Sequence, residues 1–366
     1  MTRRTITRRG ALAGGLAGLG GACNRAGGES AAVHTTERVR WKLASSFPSS
    51  LDTIYGAAEV LAERVAAMSG GNFTIRVNQA GEIVPALQVL DAVQERAVEV
   101  GQTAGYYYTG KSAALAFDTC VPFGLTSRQQ TAWLQEGGGL ELLRDVYASF
   151  GVVSFPCGNT GAQMGGWFRE PVGSLADLRG LKMRIPGLGG KVMEALGVTA
   201  QQISGGEIYT ALERGAIDAT DWVGPYDDER LGFYKVAKHY HYPGWWEPGP
   251  SLSFLVASSA WQQLSADYQA IFRAASQDAA ITMQARYDAK NPAALARLVS
   301  KGVQLTPFSD DLMRGAAEAS RDMQADEARK DATYAALDES FRGFREGARA
   351  WFGRAELAYG RFVSGT

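Results

Sequence analysis

Two spacings of apolar residues alternate along the chain and predict a succession of strands and helices. Residues 39–44 and 73–77 alternate apolar and polar side chains, as half-buried strands do. Between them, residues 51–68 carry apolar side chains at helical spacing and are followed by two glycines, and residues 87–98 indicate a further helix. This alternation predicts an α/β fold with a largely parallel sheet.

The same alternation continues downstream. Strands are predicted at residues 151–155, 181–185, 219–223 and 251–257, and short helices at residues 174–178, 191–196 and 206–214. The last of these strands, 251–257, is expected to cross back to the first half of the chain. From Ser265 onward the pattern is strongly helical, with a long charged region over residues 310–352. The chain has 366 residues, a length that suits two domains better than one.

The N-terminus predicts export. Arg3, Arg4 and Arg8 precede an apolar, glycine-rich run over residues 11–22, and this layout resembles a twin-arginine signal peptide. The run is too short to span a bilayer, which needs roughly 20 apolar residues. We therefore expect residues 1–23 to be an export signal and residues 24–38 a flexible tether. The alternative is a disordered basic tail.

Small residues before Cys23 favour a lipidated cysteine, which would hold the protein at a membrane surface. The alternative is a signal peptide that is cleaved and discarded together with this residue. Cys120 and Cys157 lie further along and do not form a C-x-x-C pattern, so a redox or zinc site has little support. They are expected either to form a disulfide in an oxidising compartment or to be two buried thiols.

Charge argues against nucleic acid as the main partner. Without the first 23 residues the chain holds 33 basic and 38 acidic residues, and a mildly acidic body does not attract phosphate backbones. Signatures of catalysis are weak as well. Lys191 follows a glycine-rich turn but precedes Val192 instead of the Ser or Thr of a phosphate loop. His239 and His241 alternate on a predicted strand, where packing histidines are commoner than metal ligands.

Candidate binding chemistry concentrates in four turns rich in glycine, proline and aromatic residues, at residues 157–167, 182–187, 221–225 and 242–249. Pro and Gly fix such turns, and aromatic side chains exclude water from neighbouring polar groups. Arg184, at the end of a predicted strand, suits bidentate recognition of a carboxylate. Each turn alone is explained equally well as loop chemistry beside a core, but the four together predict a site.

These turns, with Trp-Lys-Leu-Ala-Ser-Ser-Phe-Pro at 41–48 and Val-Pro-Phe-Gly-Leu at 121–125, carry a resemblance to a known family. Over residues 39–352 the chain resembles the substrate-binding proteins of tripartite ATP-independent periplasmic (TRAP) transporters, in the branch for 2-oxo acids and lactate. The resemblance implies two α/β lobes with a hinge and long C-terminal helices. The corresponding domains are lobe I at 39–160 with 250–290, lobe II and C-terminal helices at 161–249 with 291–352, and a tail at 353–366.

The resemblance also implies the composition of the site. Arg184 would pair with the ligand carboxylate, and a metal ion would bridge ligand and protein. The expected metal ligands are Gln163, Asp221, the backbone of Trp222 and Glu247. The remaining contacts to the substrate would come from Asn159, Gln163 and Trp222, with Phe47 and Tyr106 on the other lobe.

The number of charged groups expected at the site indicates which cation would bind there. Asp221, Glu247 and a ligand carboxylate bring three negative charges, and Arg184 returns one positive charge, which leaves an unfavourable excess in a desolvated pocket. Calcium would bring the count to zero and sodium would leave one negative charge. Oxygen ligands suit such hard cations, so we expect calcium, with sodium as the alternative.

The resulting hypothesis is reversible binding of a monocarboxylate such as pyruvate, another 2-oxo acid or lactate, without turnover. The expected partners are the membrane permease subunits of a TRAP transporter and a second copy of the chain, since relatives dimerise through C-terminal helices. One alternative is an exported enzyme that uses Asp221 and Glu247 as acid and base. Another is an adhesion or scaffold protein that binds no small ligand.

Overall fold

The computed structural model describes residues 37–365, in which strands and helices alternate as the sequence predicts. The strands are β1 (Val39–Ser45), β2 (Phe73–Asn78), β3 (Val100–Thr103), β4 (Val152–Asn159), β5 (Trp167–Phe168), β6 (Lys182–Arg184), β7 (Thr199–Gln201), β8 (Ala219–Thr220), β9 (His239–Tyr242), β10 (Ser251–Ala257) and β11 (Gln304–Pro307). The predictions for the export signal, the tether up to residue 36 and Cys23 lie outside the described residues.

The α-helices are α1 (Gly56–Met68), α2 (Val89–Gln94), α3 (Ala116–Thr119), α4 (Ser127–Glu136), α5 (Gly139–Ala148), α6 (Gly187–Ala195), α7 (Ile208–Glu213), α8 (Pro225–Leu231), α9 (Ser258–Gln263), α10 (Ala266–Ser300), α11 (Asp310–Lys330), α12 (Ala332–Arg354) and α13 (Glu356–Ser364). Single turns of 3₁₀-helix connect them at Ala86–Gln88, Gly105–Tyr108, Ala113–Leu115, Leu175–Leu178, Gly205–Glu207 and Phe233–Lys235. Within residues 37–365, no helix has the length and apolar content that crossing a membrane requires.

The strands form two sheets. The first has the order β2-β1-β3-β10-β4 and the second the order β11-β9-β5-β8-β6-β7. Both are mixed and not largely parallel: β1 pairs in parallel with β2 and β3, whereas β10 runs antiparallel to β3 and β4. The reason is that β10 returns from the second sheet. It is buried along its whole length, as a strand between two neighbours should be.

Helices cover both sheets and connect them. On α1, Ala58, Leu61 and Val65 are buried at helical spacing, which gives the helix one apolar face. The long helix α10 packs on α1 and β4 and also on α8, which follows the second sheet's strand β8. It therefore runs across both lobes. Ser265 caps its first turn by accepting a hydrogen bond from the amide of Tyr268.

Residues 310–352, predicted as one helical region, form two helices, α11 and α12. Asp331 is extended and ends α11, and its carboxylate caps α12 by accepting from the amide of Thr333 at 2.8 Å. Residues predicted as a tail include α13, which has no buried residue. Cys120 and Cys157 are buried free thiols, so of the two alternatives the disulfide is not formed.

Candidate functional site

Arg184 and Asp221 meet because of the topology of the second sheet. Strands β6 and β8 are parallel neighbours, with Arg184 aligned to Thr220. The carboxyl ends of parallel neighbours lie at the same edge of a sheet, so the chain leaves β8 into Asp221 and Trp222 beside the end of β6. The amide of Asp221 donates to the carbonyl of Arg184 at 3.1 Å, which fixes this alignment.

The Arg184 guanidinium is held rigidly and is only 1% exposed. Its Nε donates to the carbonyl of Ile203 at 3.0 Å, and its Nη1 donates to the carbonyl and to Oδ1 of Asp221 at 3.1 and 2.9 Å. The ring of Trp222 lies 5.2 Å from its Cζ, a cation–π distance. Because the protein occupies these donors, the orientation of the remaining nitrogen, Nη2, is set in advance.

The first and fourth predicted turns are tied together through their backbones. The amide of Gln163 donates to the carbonyl of Glu247 at 3.2 Å, and the amide of Gly244 donates to the carbonyl of Gln163 at 2.9 Å. The Gln163 side-chain amide donates to the Thr160 hydroxyl at 3.2 Å. This leaves the carbonyl oxygen of that side chain as an acceptor.

Aromatic side chains of the first lobe complete a small cavity. Phe47 follows β1, and Tyr106 and Tyr107 belong to the 3₁₀ turn after β3; the rings of the two tyrosines contact each other edge-on at 5.0 Å. The cavity volume is about 10 Å³, roughly what a single water molecule requires. The lining residues are Phe47, Ile54, Tyr106, Tyr107, Thr160, Gln163, Arg184, Trp222, Val223 and Leu252. The cavity thus has one wall from each lobe.

Several polar atoms at this site are buried without a hydrogen-bond partner among the described residues. They are Nη2 of Arg184, Oε1 of Gln163, Oδ2 of Asp221, Oε2 of Glu247 and Nε1 of Trp222. A buried polar atom without a partner costs about 1–3 kcal/mol, so such atoms are rare and call for a ligand or an ion. Three of the five are oxygens, and two of these belong to carboxyl groups.

The two carboxyl groups influence each other strongly. Burial and the charge of Asp221 raise the pKa of Glu247 well above its ordinary value, although Arg184 opposes the shift. Burial also raises the pKa of Asp221, against the favourable charge of Arg184. Burial and then the charge of Glu247 raise the pKa of Tyr106, which places this tyrosine close to the pair. A proton or a cation is therefore needed to relieve the repulsion.

The structure brings together Phe47, Tyr106, Gln163, Arg184 and Trp222 as lining residues. Asp221 and Glu247 are adjacent to that lining, through the contacts just described. Asn159, which was also predicted to contact the substrate, is engaged elsewhere. Its amide nitrogen donates to the carbonyl of Gly249 and its amide oxygen accepts from Gly161, both at 2.9 Å.

Sequence reasoning did not find Tyr107. Burial raises the pKa of Tyr107 to about 12, although the positive charge of Arg184 beside it acts in the opposite direction. The sequence signal was present, since three tyrosines in a row follow strand β3. Away from this site, His241 stacks on Phe308 at 4.9 Å, and burial lowers the pKa of His241 to about 4. It is a packing residue.

Protein side chains alone do not make a conventional metal centre. In the part of the chain that the structure describes, no group of three or more His, Cys, Asp or Glu residues could hold an ion. Asp221 and Glu247 contribute two carboxyl groups, and Gln163 contributes an amide oxygen. A cation held here would need further oxygens from the backbone or from a bound carboxylate.

Comparison with known proteins gives a consistent set of matches. The model for bacterial extracellular solute-binding protein, family 7, matches residues 44–330. The chain is 54% identical over 326 residues to a monocarboxylate 2-oxoacid-binding periplasmic protein of Nostoc sp., with 89% of each chain covered.

Two solved structures share both the fold and at least 40% of the aligned residues. The TRAP transporter solute-binding protein of Bordetella bronchiseptica, a mixed-occupancy dimer with copurified calcium and picolinate, is 44% identical, with a TM-score of 0.89 over 90% of this chain and 98% of that one. The TRAP periplasmic solute-binding protein of Pseudoalteromonas atlantica, with bound sodium and pyruvate, is 40% identical. Its TM-score is 0.86 over 88% of this chain and 98% of that one.

Proposed function

We propose that this chain, which belongs to family 7 of the bacterial extracellular solute-binding proteins, binds a small 2-oxo monocarboxylate such as pyruvate for a TRAP transporter. The observation that carries the proposal is the unpartnered Nη2 of Arg184, buried at a small cavity between the two lobes. A planar guanidinium with one nitrogen available suits a carboxylate oxygen. The Nostoc relative and the Pseudoalteromonas structure bind ligands of this class.

A cation is part of the proposal, because the donors at the site fit one. Oδ2 of Asp221, Oε2 of Glu247 and Oε1 of Gln163 are buried oxygens without partners, and the backbone carbonyl of Trp222 would add a fourth. Oxygen donors with two carboxyl groups favour calcium, which accepts six to eight ligands, and sodium is the alternative. The bound cation would neutralise the carboxyl pair and polarise the ligand. The Bordetella structure holds calcium and the Pseudoalteromonas structure sodium.

The remaining residues would position the ligand and exclude water. Arg184 would hold the carboxylate, and Gln163 and Trp222 would fix its orientation. Phe47 and Tyr106 would close over it from the other lobe, with Tyr107 beside them. We propose no role in ligand contact for Asn159, because both ends of its amide are occupied.

The domain boundaries of the resemblance remain our proposal: lobe I at 39–160 with 250–290, lobe II with the C-terminal helices at 161–249 with 291–352, and 353–366 as a tail. Sheet membership supports the two lobes, since the first sheet draws on residues 39–159 and 251–257 and the second on residues 167–242 and 304–307. The absence of a buried residue in α13 supports a peripheral tail.

The proposal also covers where the protein delivers its ligand and whether it forms a dimer. Family membership supports a periplasmic protein that hands its ligand to membrane permease subunits. Export through the twin-arginine-like signal and anchoring at Cys23 rest on the sequence alone. The dimeric Bordetella structure supports a homodimer.

Calorimetry with a recovered ligand tests the function. Pyruvate, 2-oxobutyrate and lactate are titrated into the protein with calcium present, with acetate as a control that lacks the 2-oxygen. The ligand is then released and identified by NMR. We expect saturable binding and an unchanged ligand. Conversion of the ligand would favour an enzyme that uses Asp221 and Glu247, and an absence of binding across the panel would contradict the proposal.

A further inference from the structure

A large open cavity lies between helices α11 and α12, apart from the site described above. Its volume is about 730 Å³. Pro122 and Phe123 line it, and they belong to the Val-Pro-Phe-Gly-Leu motif that the binding site does not use. The buried amide of Gln324 lies on the α11 side. We call this cavity the arginine groove, since the residues that define it are Arg321, Arg329, Arg342, Arg345 and Arg349.

Positive charge in the arginine groove exceeds negative charge. Five arginines line it, against two acidic residues, Asp338 and Glu346. Arg342 pairs with Asp338 at 2.8 Å, and Arg329 pairs with Asp326. In contrast, Arg321 and Arg345 form no ion pair with any residue in the range 37–365. The groove therefore has guanidinium groups without an ion-pair partner among residues 37–365.

The pKa of Arg345 shows the effect of the neighbouring positive charges. The side chain is half-buried, and burial followed by the charge of Arg349 and then of Arg342 lowers the pKa of Arg345, while Asp338 and Glu346 oppose the shift. Arg349 is turned to the groove wall, where it donates to the carbonyl of Phe123 at 2.7 Å. Like charges held this close on one helix are unfavourable unless a negative partner relieves them.

The arrangement of the charges is linear. Arg342, Arg345 and Arg349 are three and four residues apart, so they share one face of α12. The lining part of that helix, from Asp338 to Arg349, is about 17 Å long at 1.5 Å per residue. A row of this length matches carboxylates spaced along an extended chain, which covers it with about five or six residues. A single compact anion would reach only part of it.

Helix α13, which follows the groove in the chain, does not supply such a partner. The adjoining α13 carries one acid and one base, Glu356 and Arg361, and Glu356 is already paired with Arg128. The body of the chain is acidic overall, so attraction of an anion is confined to the groove and does not come from the general field. We propose that the arginine groove binds an acidic polypeptide segment of a partner protein.

Fluorescence anisotropy with labelled hexaglutamate tests this surface on the full-length protein. Hexaglutamate spans about 20 Å when extended. We expect binding at an ionic strength of about 0.02 M that weakens at about 0.15 M, where charges are screened beyond about 8 Å. The double variant Arg321→Gln/Arg345→Gln should weaken binding about fivefold, since each partly exposed ion pair contributes modestly. Hexalysine should not bind.

The matched control is Arg314→Gln/Arg354→Gln, which removes the same charge from the same two helices outside the groove. We expect it to leave hexaglutamate binding within twofold of wild type. Equal weakening by both double variants would show a general charge effect and overturn the proposal. So would displacement of the peptide by citrate at equal concentration, which would indicate a compact anion, or a loss of dimer confined to the groove variant in sedimentation. Pyruvate titration of the same variants reports separately on the ligand site.

Discussion

Replacing Arg184 with lysine keeps a positive charge but removes the planar group that we propose to hold the ligand. In the wild-type guanidinium, Nε donates to the carbonyl of Ile203 and Nη1 donates to Asp221. Nη2 has no partner in the protein and is the atom that we propose to bind the ligand. An ammonium group is a compact point charge and cannot make all three sets of contacts at once. In Arg184→Lys, Asp221 and the ligand would compete for one cation.

The size of the effect follows from burial. The side chain is 1% exposed and Asp221 is fully buried, so solvent cannot replace the lost contacts. Removing one partner of a buried, hydrogen-bonded charge pair costs roughly 2–5 kcal/mol. Since 1.4 kcal/mol is a factor of ten, the Kd for pyruvate should rise by roughly 30-fold to several thousand-fold.

Calorimetry with pyruvate in the presence of calcium measures the change, and thermal unfolding of the ligand-free protein measures stability in parallel. Arg169→Lys is the matched control, because Arg169 also donates to a backbone carbonyl, that of Leu212 at 3.0 Å, but does not line the cavity. We expect unchanged affinity in the control. If Arg184→Lys is less stable and yet binds pyruvate as the wild type does, Arg184 is a structural ion-pair residue and the reasoning is refuted.

Three further results are expected. Chelation of divalent ions in sodium-free buffer should weaken pyruvate binding at least about tenfold in calorimetry, and Glu247→Gln should shift the preference from calcium towards sodium, since one negative charge is lost. Tyr107→Phe should weaken binding about fivefold, because it removes a hydroxyl beside Arg184; equal affinity would exclude the hydroxyl. Burial raises the pKa of Asp228 from 3.8 to about 7, so the folded protein retains a proton that the unfolded chain loses, and stability falls as pH rises from about 4 to 7. Asp228→Asn should reduce that slope in thermal unfolding, and an unchanged slope would contradict the shift.

Long periodic segments were predicted well from the sequence. Strand β10 has the predicted bounds, Ser251–Ala257, and α10 begins directly after Ser265. The two-lobe α/β class and the family are confirmed by the fold and the relatives. Strand β5 was missed because two residues, Trp167–Phe168, are too few for an alternating pattern. Helices α4 and α5 were missed where three glycines in a row, at residues 137–139, interrupt the helical spacing.

Some residues of the site could likewise be predicted from local sequence, whereas others depend on how distant segments pack together. Turns with Pro, Gly and aromatic residues are local signals, so Arg184 could be named from its own turn, whereas Asp221 and Glu247 were assigned to the site through the family resemblance. Which of three consecutive tyrosines reaches the cavity depends on how the 3₁₀ turn Gly105–Tyr108 packs against the other lobe, and Tyr107 was missed for that reason. The amide oxygen of Asn159 accepts from nearby Gly161, but its amide nitrogen donates to the carbonyl of distant Gly249, a contact that no spacing reveals.

The buried polar atoms explain how binding and closure become one equilibrium. Phe47 and Tyr106 come from one lobe and cover Arg184 and Gln163 of the other, which removes water from the latter pair. Each polar atom that loses water without gaining a partner costs about 1–3 kcal/mol, so several together cost on the order of 5–10 kcal/mol. The proposed carboxylate and cation would return those partners and cancel the penalty. Closure would then be favourable with ligand and costly without it, and the apparent affinity would depend on the closing motion as well as on the contacts.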